Sequence, residues 1–459
     1  MDSTPASVFG HPLVLWRSED KGHIYCADDV CPHRAAALSE GRLRDGKLEC
    51  YYHGWQFNGN GKCATIPQLA SGASIPQRAC LRMRECRVVE GIVWVWMGDT
   101  SSPTKDPPRQ DDGLDENTGQ RKGCILNDFQ IDLPYDHSYL VENLIDPAHI
   151  PISHDRTPGG GRRENAEAYE MILDDKSFNC LGFTGRFRVE SKKPDGLWTE
   201  LRYDAPGVVR QYGTNPKITF GAALHCMPLS LGRSRLLFRV YFGGLPWFLM
   251  MMLQMRPKFL RDLNSCKILE QDVGLITTQE DHFARNTERS LEDDFLLLGS
   301  SDTFVGAYRR WLDMVGAGMP WFQGLASRSS NMQATNSSGM NVLSPGLDPA
   351  HHRSSGQDNV ETRYHRHVIH CPTTRKALER VQSLKQLSLV LAITCGTIIA
   401  GMIPSASLFQ THWQGRYLFR GFLMGMPLFS ISFLGLRRFE RAFFVSFKRK
   451  EQLRKERGT

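Results

Sequence analysis

No basic face is spread along the 459-residue sequence. The formal net charge is +7, but residues 437–459 hold nine Lys/Arg against three Glu and so carry +6 of it. The remainder is close to neutral, which argues against nucleic-acid binding by the main body. A strand–GxGxxG–helix unit is also missing, so the chain has no dinucleotide site of that type. No secretory signal opens it. The 12 cysteines fall at irregular spacings in a chain far too long to be a disulfide-stapled mini-domain. Reduced thiols in a cytosol-like compartment are therefore expected, some of them free for metal. The hydrophobic content of 41% and charged content of 23% are ordinary for a globular protein, and the length suits two to three domains.

What is present falls into successive regions. Residues 8–100 read as a small all-β unit: HPLVLWR, GHIYCAD, GKLECYYH, WQFNGNGKC and GIVWVWMGD alternate with glycine turns, and NGNG at 58–61 is a hairpin signal. Residues 101–119, rich in Pro, Asp and Ser, read as a linker. Residues 120–325 read as α+β. FTGRFRVES, LWTELRYD, VVRQYGT and SRLLFRVYFG are expected strands, and 267–286 and 303–318 show helical periodicity. The apolar run LPWFLMMMLQM (245–255) is too short to span a bilayer and predicts a buried or membrane-dipping helix. Residues 326–366 have a flexible-linker composition. Beyond them, 386–415 is uncharged and 417–436 contains only Arg420, long enough for two membrane spans. Arg375, Lys376, Arg380 and Lys385 precede the first run; Arg437, Arg438 and Arg441 follow the second. Both ends of this hairpin then lie on the positive, cytosol-like side. A pair of buried core helices is the alternative.

Cys31-x-His33 and Cys50-x-x-His53, separated by 16 residues, are the sharpest local feature. Structural zinc usually pairs Cys-x2–4-Cys with His-x3–5-His; here each loop offers one thiol and one imidazole. That suits a Rieske [2Fe–2S] cluster, in which two thiolates hold one iron and two imidazoles hold the other. Zinc is the competing reading. Such a cluster only moves single electrons, so an acceptor site is needed elsewhere.

The stretch YDHSYLVENLIDPAHIPISHDRT (135–157) supplies His149 and His154. On a regular helix they would point about 140° apart, so Pro151 between them is expected to break the backbone and let both face one ion. Two histidines and one carboxylate make the facial triad of non-haem Fe(II) oxygenases. His137 reads as a surface residue, and Asp146-Pro147 as an N-cap with Pro at N1. The carboxylate candidates are Glu270, Asp272, Glu280 and Asp281. Asp272 lies beside the apolar stripe Ile268, Leu269, Val273 and Ile276, where an unpaired carboxylate would be costly without a metal; Glu280 and Asp281 read as a solvated helix end. Asp272 is therefore the expected third ligand.

CPHRAAALSEGRL…LECYYHGWQFNGNGKCATIPQ together with LPYDHSYLVENLIDPAHIPISHDRT resembles the pheophorbide a oxygenase-type Rieske monooxygenases of plastids and photosynthetic bacteria. The resemblance covers residues 8–325 and extends to the hairpin. It implies an all-β Rieske domain (1–104), an α+β helix-grip-like catalytic domain with mononuclear non-haem Fe(II) (105–325), a flexible linker (326–366) and a transmembrane hairpin with a basic tail (367–459). Cys31, His33, Cys50 and His53 would hold the cluster, and His149, His154 and Asp272 the iron. Asp146 matches the acidic residue that connects a cluster histidine of one subunit to an iron-bound histidine of the next in a homotrimer, and Asn143 a position close to the iron. Relatives carry an opening β-strand and a transit peptide ahead of FGHPLVLWR, so the first domain is expected to be truncated and short of an edge strand. They also carry Cys-x-x-Cys before the hairpin, where Cys371 is here followed by Thr374.

The activity implied is O2-dependent hydroxylation or oxidation of a chlorophyll-derived tetrapyrrole, with reduced ferredoxin as donor. A pheophorbide, a chlorophyllide or a linear phyllobilin would each fit a large apolar pocket above an iron. The location implied is the plastid inner envelope or thylakoid membrane, with the body on the stromal side. The alternative is a redox or regulatory subunit of the inner-envelope protein-import translocon.

Overall fold

A computed structural model describes residues 3–8, 10–17, 22–98, 106–107, 115, 124–190, 197–214, 219–230, 232–244, 246–285, 295–315, 362–402 and 413–447. The expected linkers at 101–119 (apart from 106–107 and 115) and 326–366 (apart from 362–366), and the basic tail from 448 on, lie outside the described residues; Arg363–Arg366, expected as linker, is a helical turn with Arg363 and Arg366 buried.

Short β-rich runs punctuated by turns build two small sheets in the N-terminal region. One has the order β1-β2-β3-β8, from Thr4–Val8, His11–Arg17, Ile24–Asp28 and Met83–Arg84; the other, β4-β5-β6-β7, uses Arg42–Arg44, Lys47–Glu49, Gln56–Phe57 and Cys63–Thr65. An apolar set that includes Val14, Trp16, Leu38, Leu48, Phe57 and Leu81 closes between them and takes in Cys31 and Cys50. A strand does precede His11: β1 pairs antiparallel with β2 from Thr4↔Leu15 to Val8↔His11. Its end docks onto the following unit, where Leu229 O accepts from Ser7 Oγ and from Gly10 N, both at 2.9 Å. The hairpin β9–β10 (Cys86–Val89, Ile92–Val95) makes a second joint, with Trp94 edge-on to His225 at 5.5 Å.

The second unit is one antiparallel sheet of seven strands, ordered β11-β17-β16-β15-β14-β13-β12. Four of these match the expected strands: β13 (Gly182–Val189), β14 (Thr199–Asp204), β15 (Val208–Thr214) and β17 (Arg233–Gly243). Alternation is legible in β14, where Leu201 and Tyr203 are buried and Glu200 and Arg202 are exposed. The other three, β11 (Cys124–Leu133), β12 (Tyr169–Asn179) and β16 (Thr219–Ser230), were not expected from pattern. β12 is an edge strand with half its residues exposed, and β16 is a near-continuous apolar run, so neither shows a clean period of two.

Helices α1 (His137–Ile145), α4 (Lys258–Arg285) and α5 (Thr303–Val315) pack against this sheet. Their inward residues Tyr139, Leu140, Cys266, Ile276, Phe304, Tyr308 and Trp311 join strand residues such as Ile131, Leu201 and Leu236 in one core. α4 begins nine residues earlier than its apolar period suggests, because its first turns pack on the C-terminal hairpin through Phe259 and Leu263. The hairpin consists of α6 (Pro372–Met402) and α7 (Trp413–Glu440). Only 11% of the first apolar span and 0% of the second are buried, so they are not core helices of this chain. Helix α3 (Trp247–Met255) is likewise exposed rather than buried.

Candidate iron centres

The two cluster loops are built alike. In the first, Cys31 N donates to Ala36 O and Cys31 O accepts from Ala35 N, each at 2.9 Å; in the second, Cys50 N donates to Trp55 O and Cys50 O accepts from Gly54 N, again at 2.9 Å. Each loop therefore turns through a left-handed residue four positions after its cysteine, Ala35 (φ 59°) and Gly54 (φ 71°). Identical turns place both cysteines inward and both histidines outward. Cys31 and Cys50 are 2% and 1% exposed, whereas His33 is exposed and His53 half-buried. The imidazoles of His33 and His53 meet edge-on at 4.5 Å, and His33 stacks on Trp55 at 4.6 Å. Burial pushes the Cys31 thiol up to about 11, against the amides of His33 and Arg34, which point at its sulfur and favour the anion. Amides aimed at a sulfur, two adjoining buried thiols and two adjoining imidazoles fit a [2Fe–2S] cluster with unlike irons.

The second centre is assembled from distant elements. Asp136 caps α1 by accepting from Ser138 N at 2.9 Å. Pro147 ends that helix, because the residue before a proline is driven out of the helical region; Asp146 duly adopts φ −96°, ψ 102°. Asp146 is thus a C-cap, whose carboxylate then accepts from Ala148 N at 2.7 Å, and not the N-cap that Asp146-Pro147 suggests. The chain re-enters a single turn, α2 (Ile150–Ser153), with His149 and His154 as its two caps. Pro151 sits harmlessly in the first turn. The break that brings the imidazoles together lies instead at His154, at φ −108°, ψ 26°. Gly160 packs on that residue so closely that a Cβ would fall 2.4 Å from His154 O. His137 is buried, at 2% exposure, rather than on the surface.

Asp272 reaches this turn from α4. Its Oδ2 lies 3.2 Å from His154 Nε2 and 3.7 Å from His149 Nε2, and the three ligand atoms lie within 4.8 Å of one another. Each imidazole is held through its other nitrogen: His149 Nδ1 by Asp146 Oδ2 at 3.3 Å, and His154 Nδ1 by Gln271 Oε1 at 3.0 Å. Gln271 is itself fixed by donating to Thr157 Oγ1 at 3.0 Å. Donating from Nδ1 leaves the Nε2 lone pairs facing a carboxylate, so three acceptors converge. Asp272 Oδ2 is buried with no hydrogen-bond partner. Such a group calls for a cation. Burial pulls the His149 imidazole down, but Asp146 and Asp272 outweigh it and set it above its ordinary value. Burial likewise raises Asp272, and the His154 and His149 imidazoles, when protonated in the absence of metal, outweigh it and hold the carboxyl below the usual range. The site therefore favours positive charge at its centre, and its donor set is that of non-haem Fe(II).

A comparison inside the chain sharpens this. Asp262, His367 and Cys371 also lie within ligand reach of one another. There, however, Asp262 accepts from Lys258 Nζ at 2.8 and 3.0 Å and from Thr374 Oγ1 at 3.0 Å, and His367 Nδ1 meets Gln130 O at 2.6 Å. Charge and hydrogen bonds are balanced without a metal.

The remaining carboxylate candidates are placed elsewhere. Glu270, 3% exposed, pairs with Arg363 (2.9 Å to Nε), with Arg366 (3.3 Å) and with Phe447 N (2.8 Å). Glu280 and Asp281 are half-buried. Consecutive residues of α4 thus tie the C-terminal segment (Glu270), orient a histidine (Gln271) and face both imidazoles (Asp272). Gln271 and the Glu270 clamp carry no spacing signal, since their partners lie about a hundred residues away. A cleft of 330 Å³ opens on His149 and Asp272 of the triad, lined also by Asn143 and Asp146, by the apolar Leu275, Phe295 and Leu297, and by the acidic Glu142 and Asp302. It is less apolar than expected. Asn143 Nδ2 stands 3.5 Å from His149 Nε2.

A β unit carrying mixed Cys/His loops, followed by a sheet-and-helix unit with a two-histidine, one-carboxylate site, defines a Rieske non-haem iron oxygenase. Its cofactors are a [2Fe–2S] cluster and mononuclear iron, and it is an oxidoreductase of the monooxygenase type. The Rieske [2Fe-2S] domain model matches residues 2–79, and the pheophorbide a oxygenase model residues 203–290. Protein TIC 55, chloroplastic, of Arabidopsis thaliana is 35% identical over 410 residues, spanning 87% of this chain and 73% of that protein. Pheophorbide a oxygenase, chloroplastic, of the same plant is 26% identical over 464 residues, spanning 92% and 80%. The crystal structure of dicamba monooxygenase bound to dicamba shares the fold, with TM-score 0.54, 20% identity, and coverage of 69% of this chain and 94% of that one. The chain belongs to the pheophorbide a oxygenase-type Rieske oxygenase family.

Proposed function

We propose that Cys31, His33, Cys50 and His53 hold the Rieske cluster, that His149, His154 and Asp272 hold the catalytic iron, and that the enzyme hydroxylates or oxidises a chlorophyll-derived tetrapyrrole. The observation that carries this is the convergence of two Nε2 lone pairs on the buried, unpartnered Asp272 Oδ2. Held there, the iron would supply O2 activation and the cluster one-electron transfer. One oxygen atom enters the substrate and the other leaves as water, which consumes two electrons and two protons.

The chain's own groups do the rest. Gln271 and Asp146 lock the two imidazoles through Nδ1, so that both Nε2 atoms stay directed at the metal. Asn143 projects an amide beside that point. Leu275, Leu296 and Leu297 offer an exposed apolar rim on which a flat hydrophobic ring system can lie. A tetrapyrrole is larger than the cleft, so in this reading only its reacting edge enters.

The described motifs include no strand–GxGxxG–helix unit, so this reading takes electrons from an external donor, which the family resemblance makes reduced ferredoxin. The outward-facing His33 and His53 suit transfer to a neighbouring copy in a homotrimer, with the half-buried Asp146 as the acceptor of an imidazole N–H from next door. α6 and α7 form a membrane hairpin, which their length and exposure support; in this reading it holds the body on the stromal side of the plastid inner envelope or thylakoid membrane. The similarity to TIC 55 favours a second reading, a redox or regulatory subunit of the protein-import translocon. That role has no need of Asp146, His149, His154 and Asp272 together.

The deciding experiment incubates the full-length, iron-loaded protein with ferredoxin, its reductase and O2, and with a pheophorbide, a chlorophyllide or a phyllobilin in turn. A mass gain of one oxygen is expected with one of them. No turnover with any, at full iron occupancy, shifts the weight to the translocon reading.

A further inference from the structure

α3 is a nine-residue helix, WFLMMMLQM, with a single polar side chain, Gln254. Every side chain described in it is exposed: Trp247 by 76%, Met252 by 63% and Met255 by 72%. An apolar helix open all round is not a stable surface element in water. The surrounding chain nevertheless defines it sharply. Gly244 (φ 73°) and Pro246 lead into it. Pro257 follows it, and Arg261 reaches back to donate to Leu253 O at 3.0 Å.

Its position decides what covers it. Phe259, four residues past Met255, stacks on Phe443 at 6.3 Å and meets Phe439 edge-on at 6.4 Å, at the end of α7. Leu263, one turn further, packs with Ala377, Leu378 and Val381 of α6. α3 therefore leaves the body at the foot of the hairpin. At about 1.5 Å per residue it is far too short to cross a bilayer. Arg256 at its end, and Arg437 and Arg438 on α7, are all exposed, as basic side chains at the headgroup level are.

We propose that α3 is a third membrane-embedded element, lying in the plane of the leaflet nearest the body with lipid acyl chains around it. This rests on the membrane reading of α6 and α7. Together the hairpin and α3 would fix the tilt of the body on the bilayer.

The test reconstitutes the full-length holoenzyme into vesicles of phosphatidylcholine and phosphatidylglycerol. The vesicles are doped with a lipid carrying a diazirine either near the acyl carbonyl or near the terminal methyl. After photolysis the labelled peptides are mapped by mass spectrometry. The expected result is labelling of 247–255 from the shallow probe only, with both probes labelling 387–401 and 417–436. The variant Phe248→Glu/Met252→Glu should lose the label on 247–255 to background and keep that on the hairpin. A labelled hairpin with an unlabelled α3 overturns the proposal and leaves the hairpin reading intact. With photo-methionine incorporated at Met251, Met252 and Met255, copy-to-copy cross-links from 247–255 in place of lipid adducts overturn it in favour of a second copy as the cover. An unlabelled hairpin overturns both readings. Where the variant fails to fold, the wild-type pattern from the two probe depths still decides.

Discussion

The proposed cluster loops and the proposed iron triad are made in opposite ways. The loops lie within 25 residues of sequence, and each closes by the same pair of backbone hydrogen bonds around its own cysteine. The triad needs a one-turn helix, a proline-terminated helix before it, and a long helix more than a hundred residues later. A locally closed site tolerates changes elsewhere in the chain. An assembled site inherits the strength of everything that positions its parts, here including the C-terminal segment that grips Glu270.

If the two sites are this separable, Asp272→Ala should abolish mononuclear iron binding and turnover outright while leaving the cluster intact. Iron-to-sulfide analysis beside the cluster's EPR signal reads this directly; a full complement of mononuclear iron would remove Asp272 from the ligand set. Next in size is Glu270→Ala. It leaves the Arg363 and Arg366 guanidinium groups buried without their carboxylate, a change that costs about 3–5 kcal/mol. Thermal unfolding should fall accordingly, and iron should be lost at lower chelator concentration while the cluster spectrum is unchanged. A cluster that decays in parallel would break the comparison.

Gln271→Ala frees the His154 ring without touching a ligand. Metal affinity should drop by about 10–100-fold, measured by competition with a chelator, and Gln271→Glu, which keeps an acceptor at Nδ1, should recover most of it. The smallest effect probes the other site. Ala35 holds a left-handed conformation that an L-residue adopts at a cost of about 1–2 kcal/mol. Ala35→Gly should therefore stabilise the cluster region by about 1 kcal/mol, seen as slower cluster loss on warming. Gly54→Ala should do the reverse, since a Cβ there would also press on Pro67 Cγ at 3.1 Å. Iron at the triad should respond to neither.

How far each site could be read from the sequence follows the same division. Cys31, His33, Cys50 and His53 announce themselves by spacing, because one turn supplies each pair. His149 and His154 were legible as a pair but not in their geometry. Spacing alone points to Pro151 as the interruption, whereas Pro147 ends α1 and the single turn of α2 does the rest. Asp272 could be chosen because it borders an apolar stripe, yet Glu270, two residues earlier, is as deeply buried for a different reason. Only its contact with Arg363 and Arg366, across 93 and 96 residues, tells the two apart. The membrane-length runs were plain from composition, whereas the exposed state of α3 was not, since an apolar nonapeptide looks the same whether core or lipid surrounds it.

The sequence by itself determined the chemistry on offer: mixed thiol–imidazole loops, a histidine pair, apolar spans and a basic end. These are properties of residue type and short spacing, which survive any fold that keeps the turns. Tertiary structure decided which carboxylate faces the imidazoles, which amide orients them, and that the hairpin's flanks grip the helix bearing Asp272. A buried charge takes its role from its nearest partners, and those partners are set by packing between segments far apart in the chain.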